Sequence, residues 1–282
     1  MKLAQIRNAA GGVTAAIVAK DGYRLIGGET IASLIVEAER KGRDLAKLAR
    51  EMASSEAVNG EAMIPVNPVE VWACGCTYAP SAEFRDAEHG TREGMYAYVH
   101  NPKHRPEIFF KGTERHCVGP ADDIGIRSDS KFTAPEPELA VVINSKGKVL
   151  GYTLANDVSA WDIERENALY LPQSKVYKAC CSLGPVIVTP DEIKDPYKLE
   201  MTCTIQRGNK TTFEGAVSTK KLRRKIEELI KYLLRSNPIP TPTVVLTGTG
   251  IIVTEKSALK AGDVVTIEVP QIGKLVNKAV KV

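Results

Sequence analysis

The 282-residue chain offers little that would bind a metal through nitrogen or sulfur. Of its four histidines, His89, His100, His104 and His116, only His100 and His104 are four apart, and Pro102 between them prevents the helix that would place two ligands on one face. Its six cysteines, Cys74, Cys76, Cys117, Cys180, Cys181 and Cys203, form no paired C-x-x-C knuckles, which argues against a zinc site, and they read as buried, reduced thiols. No apolar run approaches the ~18 residues of a membrane helix. The opening "MKLAQIRNAAGG" lacks the apolar core of a secretion signal. A soluble, cytoplasmic protein without membrane partners is expected. A net charge of +4, spread along the chain, is too mild to point to nucleic acid. The basic cluster "KKLRRK" at 220–225 reads as the solvated face of a helix. Internal repeats and low-complexity segments are absent. The stretch "TGTGIIV" lacks the third glycine of a dinucleotide-binding loop.

Apolar residues make up 43% of the chain, enough for one large domain or for a catalytic domain with a small companion. Short apolar runs up to about residue 28 predict a small antiparallel sheet with a turn at Asp21-Gly22. Thr30 can cap a helix to about Lys41, with Ile31, Leu34, Ile35 and Ala38 on one face. A second helix is expected over Asp44 to Ala53. "NGEAMIPVNP" reads as a linker, so the expected division is 1–65 for a small α+β domain and 66–282 for the main one. Beyond it come short β-rich runs bounded by Gly or Pro, such as "EIFFKG", "ELAVVIN", "KVLGYTLAND" and "EMTCTIQRG". One helix is expected among them, from Lys220 to Leu234, with Leu222, Ile226, Leu229, Ile230 and Leu233 as its apolar stripe.

Three carboxylates stand out against this β-rich background. In a strand, residues i and i+2 share a face, so Glu136 and Glu138 point the same way, with Leu139, Val141 and Ile143 on the other side. Lys146-Gly147 supplies a turn, and the returning arm ends at Asp157, 19 positions after Glu138. Converging carboxylates repel one another and raise each other's pKa values, a cost that a cation removes. All-oxygen ligands suit a hard ion, Mg²⁺ foremost, with Mn²⁺ or Ca²⁺ as alternatives. Charges on a solvent-facing edge strand are the other reading of the same spacing.

"EPELAVVI", "GYTLANDVSAWDIE" and "LGPVIVT" together resemble the core signature of the fumarylacetoacetate hydrolase superfamily. "PEIFFKGTERHCVGP", "VVLTGTG" and the C-terminal "LKAGDVVTIEVPQIGKLVNKAV" agree with it, so the resemblance covers about residue 70 to the end. It implies an α+β, mostly β fold, a mixed β-roll or sandwich, with Glu136, Glu138 and Asp157 as metal ligands. Homodimers or homotetramers are implied as well.

Departures from the pattern narrow the chemistry. The hydrolases of this superfamily carry a water-activating histidine in N-Y-x-x-H-A, whereas this chain has Ser81 in "GCTYAPSAEFRDAE". A serine is no general base near neutral pH without help. Trp161 occupies the arginine position of the family's S-x-R-D. "RPEIFFKG" and "ENALYLPQSK" resemble instead a branch that dehydrates 2-keto-3-deoxy sugar acids. That resemblance implies Lys175 and Glu107 as an acid–base pair of undecided order. Lys175 would need its ordinary pKa of about 10.4 lowered by burial or a cation to act as base. Ser81, Arg85 and Thr249 are the residues expected to hold substrate. The expected reaction takes 2-keto-3-deoxy-D-arabinonate to 2,5-dioxopentanoate and water. An acylpyruvate hydrolase or oxaloacetate decarboxylase is the enzymatic alternative. A non-catalytic sugar-acid-binding protein is the alternative from another class.

Overall fold

A computed structural model describes residues 1–7, 11–88 and 94–282, so His89 lies outside the described residues. Among those residues, twelve strands join one mixed sheet. Its main path runs from Ala53–Val58 through Gly22–Ile26, Val13–Ala19 and Lys2–Arg7 to Cys181–Val188. It continues through Val149–Asp157, Pro137–Ile143, Thr243–Leu246 and Glu70–Gly75 to Glu107–Gly112. A second sheet of five strands is ordered Lys210–Ser218, Glu200–Arg207, Val264–Val269, Gly273–Lys281, Asp123–Ile126. These sheets, a two-stranded pair of Thr133–Ala134 with Ser159–Ala160, and seven helices among the described residues give the mostly-β α+β architecture expected from the sequence.

The helices are α1 (Ile31–Arg40), α2 (Leu45–Met52), α3 (Ala79–Glu88), α4 (Met95–His100), α5 (Trp161–Glu166), α6 (Leu171–Lys175) and α7 (Ile226–Leu233). Thr30 caps α1 by accepting from Ser33 N, and Ile31, Leu34, Ile35 and Ala38 are buried as the periodicity requires. Each of the larger of these side chains, fully buried, contributes roughly 1.5–3 kcal/mol. They pack with Ala140 and Val142 on one side of the central hairpin, while Leu139, Val141 and Ile143 belong to the core on its other side. Both faces of Pro137–Ile143 are therefore covered, and its register is fixed. The N-terminal strands are not separate from this sheet: Lys2 and Leu3 pair with Val188 and Ile187.

Two expectations are corrected. The helix predicted over 220–234 begins only at Ile226, after a short 3₁₀ turn at Thr219–Lys221. Within "KKLRRK", Arg224 is wholly buried, donating to the carbonyls of Asn101 at 2.6 Å and His104 at 2.9 Å. Those carbonyls, with that of Val99, draw the chain inward and prevent a continuous solvated helix face. In addition, α3 to α6 interrupt the strand-rich part of the chain, where one helix was expected.

Candidate functional site

The antiparallel hairpin Pro137–Ile143/Val149–Asp157 pairs Pro137 with Asn156 and Glu138 with Ala155. Continuing that register sets Asp157 opposite Glu136, and Asp157 N donates to Glu136 O at 3.0 Å. The Glu136, Glu138 and Asp157 carboxylates thus converge, each offering an oxygen within 4.8 Å of the others, and all three are buried. They occupy interior strand ends, so the edge-strand alternative fails. Glu138 Oε2 accepts from the backbone N–H of Gly248. Gly248 has φ +94, and a Cβ there would lie 2.0 Å from Thr77 Oγ1, so glycine is needed for the turn to reach Glu138.

Glu107–Gly112 brings a second set of side chains. Glu107, Phe109 and Lys111 alternate along it and share one face. Lys111 Nζ lies 2.6 Å from Asp157 Oδ1 and donates to Val158 O at 3.0 Å. Lys175, at the end of α6, reaches Glu136 Oε2 at 2.9 Å, Asp157 Oδ2 at 3.4 Å and Ser159 Oγ at 2.6 Å. Its ammonium stands 5.4 Å from the ring centre of Phe109. Beyond it, Glu164 Oε2 is 3.9 Å from Lys175 Nζ, while Glu164 Oε1 pairs with Arg85 Nη2. Arg85 Nη1 in turn meets Glu107 Oε2 at 3.0 Å. Signs alternate across the site: Lys111, Asp157, Lys175, Glu164, Arg85, Glu107.

Burial dominates the protonation equilibria here. It pushes Glu138 well above the ordinary carboxylate range, helped by the charges of Asp157 and Glu136. It raises Glu136 as well, against the pull of Lys175. Burial would also raise Asp157, but Lys111 and Lys175 outweigh it and hold that carboxyl below its usual value. For Lys175, burial opposes the charge, yet Asp157, Glu136 and Glu164 win and leave it above the ordinary lysine range. The lowering by burial anticipated from sequence is thus reversed by three nearby carboxylates.

The donor set fits a hard divalent cation. It is all oxygen, and Glu136 Oε1 is buried without a hydrogen-bond donor. Among the described residues, no histidine or cysteine joins the cluster. His100 bonds the Cys76 carbonyl and His116 bonds Thr113 N, and all six cysteines are free thiols.

Of the residues expected to hold substrate, Ser81 and Arg85 are buried one helical turn apart on α3. Both terminal nitrogens of Arg85 are engaged by carboxylates. Thr249 is buried too, with its hydroxyl in a local turn with Ile251 N at 3.2 Å. Trp161, in the family's arginine position, places its ring 5.6 Å from the Arg85 guanidinium. Sequence reasoning assigned no role to Lys111, Glu164 or Ser159. For Lys111 a signal existed, its alternation with Glu107 and Phe109.

No helix among the described residues is long and apolar enough to cross a membrane. The profile of the fumarylacetoacetate (FAA) hydrolase C-terminal family matches residues 71–280. Over 220 residues the chain is 50% identical to 2-dehydro-3-deoxy-D-arabinonate dehydratase of Saccharolobus solfataricus, covering 77% of this chain and 74% of the relative. It is 43% identical over 225 residues to a probable 2-keto-3-deoxyxylonate dehydratase of Haloferax volcanii, covering 80% and 77%. A solved structure of 2-keto-3-deoxy-D-arabinonate dehydratase, complexed with magnesium and 2,5-dioxopentanoate, superposes with a TM-score of 0.83 at 41% identity, covering 100% of this chain and 99% of that one.

Proposed function

The chain belongs to the fumarylacetoacetate hydrolase family, and from that premise we propose that it is a divalent-metal-dependent dehydratase of 2-keto-3-deoxy sugar acids. The preferred substrate is 2-keto-3-deoxy-D-arabinonate, and the products are 2,5-dioxopentanoate and water. The observation that carries this reading is the buried Glu136–Glu138–Asp157 cluster in direct contact with Lys175. It sits in a chain 50% identical to a dehydratase of that substrate class.

Mg²⁺ held by the three carboxylates would supply Lewis acidity that polarises a 2-keto acid and acidifies its C3 protons. The chain's own groups move the protons. Glu107 enters the site in an ion pair with Arg85, so a carboxylate is available to accept the C3 proton. Lys175, an ammonium among carboxylates, is suited to deliver a proton to the C4 hydroxyl as its C–O bond breaks and water departs. Two further proton shifts, from C5 to C3 and from the C5 hydroxyl to C4, turn the unsaturated acid into the C5 aldehyde. The buried rings of Tyr96 and Trp161, with the half-buried Phe109, limit the access of bulk water. A homo-oligomer, dimer or tetramer, belongs to the same proposal.

Incubation with Mg²⁺ and 2-keto-3-deoxy-D-arabinonate is the direct test, with 2,5-dioxopentanoate as the expected product and a chelator abolishing its formation. Acylpyruvate and oxaloacetate are run in parallel. Rapid C–C cleavage of those two without dehydration would replace this reading by that of a hydrolase or decarboxylase. Light scattering of the purified protein checks the oligomer.

A further inference from the structure

We propose that Arg85 is a positioning residue, which seats Glu107 and, through Glu164, Lys175, and does not bind the substrate's carboxylate. This deepens the dehydratase reading and rests on it. The guanidinium is 3% exposed, with its planar fork divided between two carboxylates, Glu107 Oε2 at 3.0 Å and Glu164 Oε1. The rings of Tyr96, 5.1 Å away, and Trp161, 5.6 Å away, flank it. Nε is left without a partner, and it is buried. One guanidinium between two carboxylates makes a trio of net negative charge. With both terminal nitrogens engaged by carboxylates, the fork has no bidentate face left to offer a substrate carboxylate.

The far end of Glu164 explains what the trio does. Glu164 Oε2 lies 3.9 Å from Lys175 Nζ and accepts from Ser174 Oγ at 3.4 Å. Arg85 thus fixes one oxygen of Glu164 while the other faces the lysine. On its opposite side Arg85 presses Glu107 against the backbone of Gly75. A Cβ at position 75 would stand 1.9 Å from Glu107 Oε2 and 3.0 Å from Arg85 Nη1. Glycine at 75 is the floor of the seat, and Arg85 is its clamp. Proton acceptor and proton donor are set in register by one bidentate side chain, a task that a point-charge lysine cannot perform.

Kinetics on 2-keto-3-deoxy-D-arabinonate with saturating Mg²⁺ test this. Arg85→Lys keeps a positive charge but loses the fork, and kcat is expected to fall by about 10²-fold with KM little changed. A raised KM at retained kcat would mean that Arg85 holds substrate, overturning the proposal. Gly75→Ala attacks the same seat without replacing the buried guanidinium, and keeps the test available if Arg85→Lys fails to fold. It should give the same loss in kcat, and normal turnover by Gly75→Ala would also overturn the proposal. In a double-mutant cycle, Arg85→Lys should cost less once Glu107 is already Gln, because only the arm through Glu164 to Lys175 remains, whereas fully additive losses would show that Arg85 and Glu107 act independently and overturn the seating. A wild-type protein inactive on every 2-keto-3-deoxy acid would instead sink the functional reading. Crystal structures of Arg85→Lys or Gly75→Ala then decide the seating alone: Glu107 displaced from residue 75 supports it, and an unmoved carboxylate overturns it.

Discussion

Lys175 is held by carboxylates on three sides, with Glu136 at 2.9 Å, Asp157 at 3.4 Å and Glu164 at 3.9 Å. Such a group can anchor a ligand or move a proton, and kinetics separate the two. Lys175→Met is expected to lower kcat by about 10²–10⁴-fold, the usual contribution of a general acid or base, while Mg²⁺-dependent binding of a 2-keto acid persists in titration calorimetry. A variant whose only defect is a raised KM would remove Lys175 from the chemistry. At this scale the convergence of three carboxylates was legible, because strand alternation places Glu136 and Glu138 together and the hairpin returns Asp157 opposite Glu136. Lys175 and Glu107 became visible only through resemblance, since no spacing rule links "SK" to a hairpin 39 positions earlier. Lys111 and Glu164 were read in no role; whether a charge is buried depends on partners that arrive from distant segments. The same holds for Arg85, whose two carboxylate partners lie 22 and 79 positions further along the chain.

Among the elements, α7 shows a periodic pattern overruled by one buried cation. Leu222, Ile226, Leu229, Ile230 and Leu233 are all buried, as the stripe demands, yet helix geometry starts only at Ile226. Arg224 serves the carbonyls of Asn101 and His104 and pairs with Glu228 at 2.5 Å, tying α7 to the segment that follows α4. Arg224→Met should therefore destabilise the protein by about 3 kcal/mol, the lower end for breaking a buried pair. The check is chemical denaturation, together with faster proteolysis around residues 99–104; unchanged stability would reduce Arg224 to a bystander. Of the helices that sequence reading passed over, α4, α5 and α6 are short, and α3 and α6 spend positions on Ser81, Arg85 and Lys175 that a stripe would fill with apolar groups. Functional side chains thereby erase the periodicity on which detection depends. In the second sheet the fastening is electrostatic: Asp263 accepts from Arg207 Nε at 2.8 Å and Nη2 at 2.7 Å. Burial would raise the Asp263 pKa, but Arg207 and the Lys260 N–H outweigh it and hold it below its model-peptide value of 3.8. A depressed folded-state pKa means stability that is present above the unfolded value and lost as pH falls through the folded one. Asp263→Asn should accordingly be less stable than wild type at neutral pH, and the gap should close as denaturation is measured progressively below about pH 4. A gap independent of pH would assign the loss to packing.

At the scale of the whole molecule, most strands of the sheet were foreseen, though not Ala53–Val58 or Thr243–Leu246, and not their union in one continuous surface. Pairing of Lys2 and Leu3 with Val188 and Ile187 joins segments some 185 positions apart, and periodicity in a sequence carries no information on such partners. The consequence is that the three converging carboxylates, the proposed metal ligands, stand at strands near the middle of a sheet that includes the N-terminal strands. Whatever relieves repulsion among Glu136, Glu138 and Asp157 then stabilises the fold broadly. A cation that binds only the native state stabilises it by about 2.7 kcal/mol at a hundredfold excess over Kd. Mg²⁺ should raise Tm in a concentration-dependent way, and a chelator should reverse the effect. Glu138→Gln is the decisive variant. It replaces the carboxylate that burial, Asp157 and Glu136 disfavour most by a neutral amide of similar shape. In the chelated state this variant should be at least as stable as wild type, because a buried charge has been removed, while its Tm no longer responds to Mg²⁺ and its turnover is lost. A variant that keeps both the Mg²⁺-dependent rise in Tm and its activity would move the metal away from Glu138.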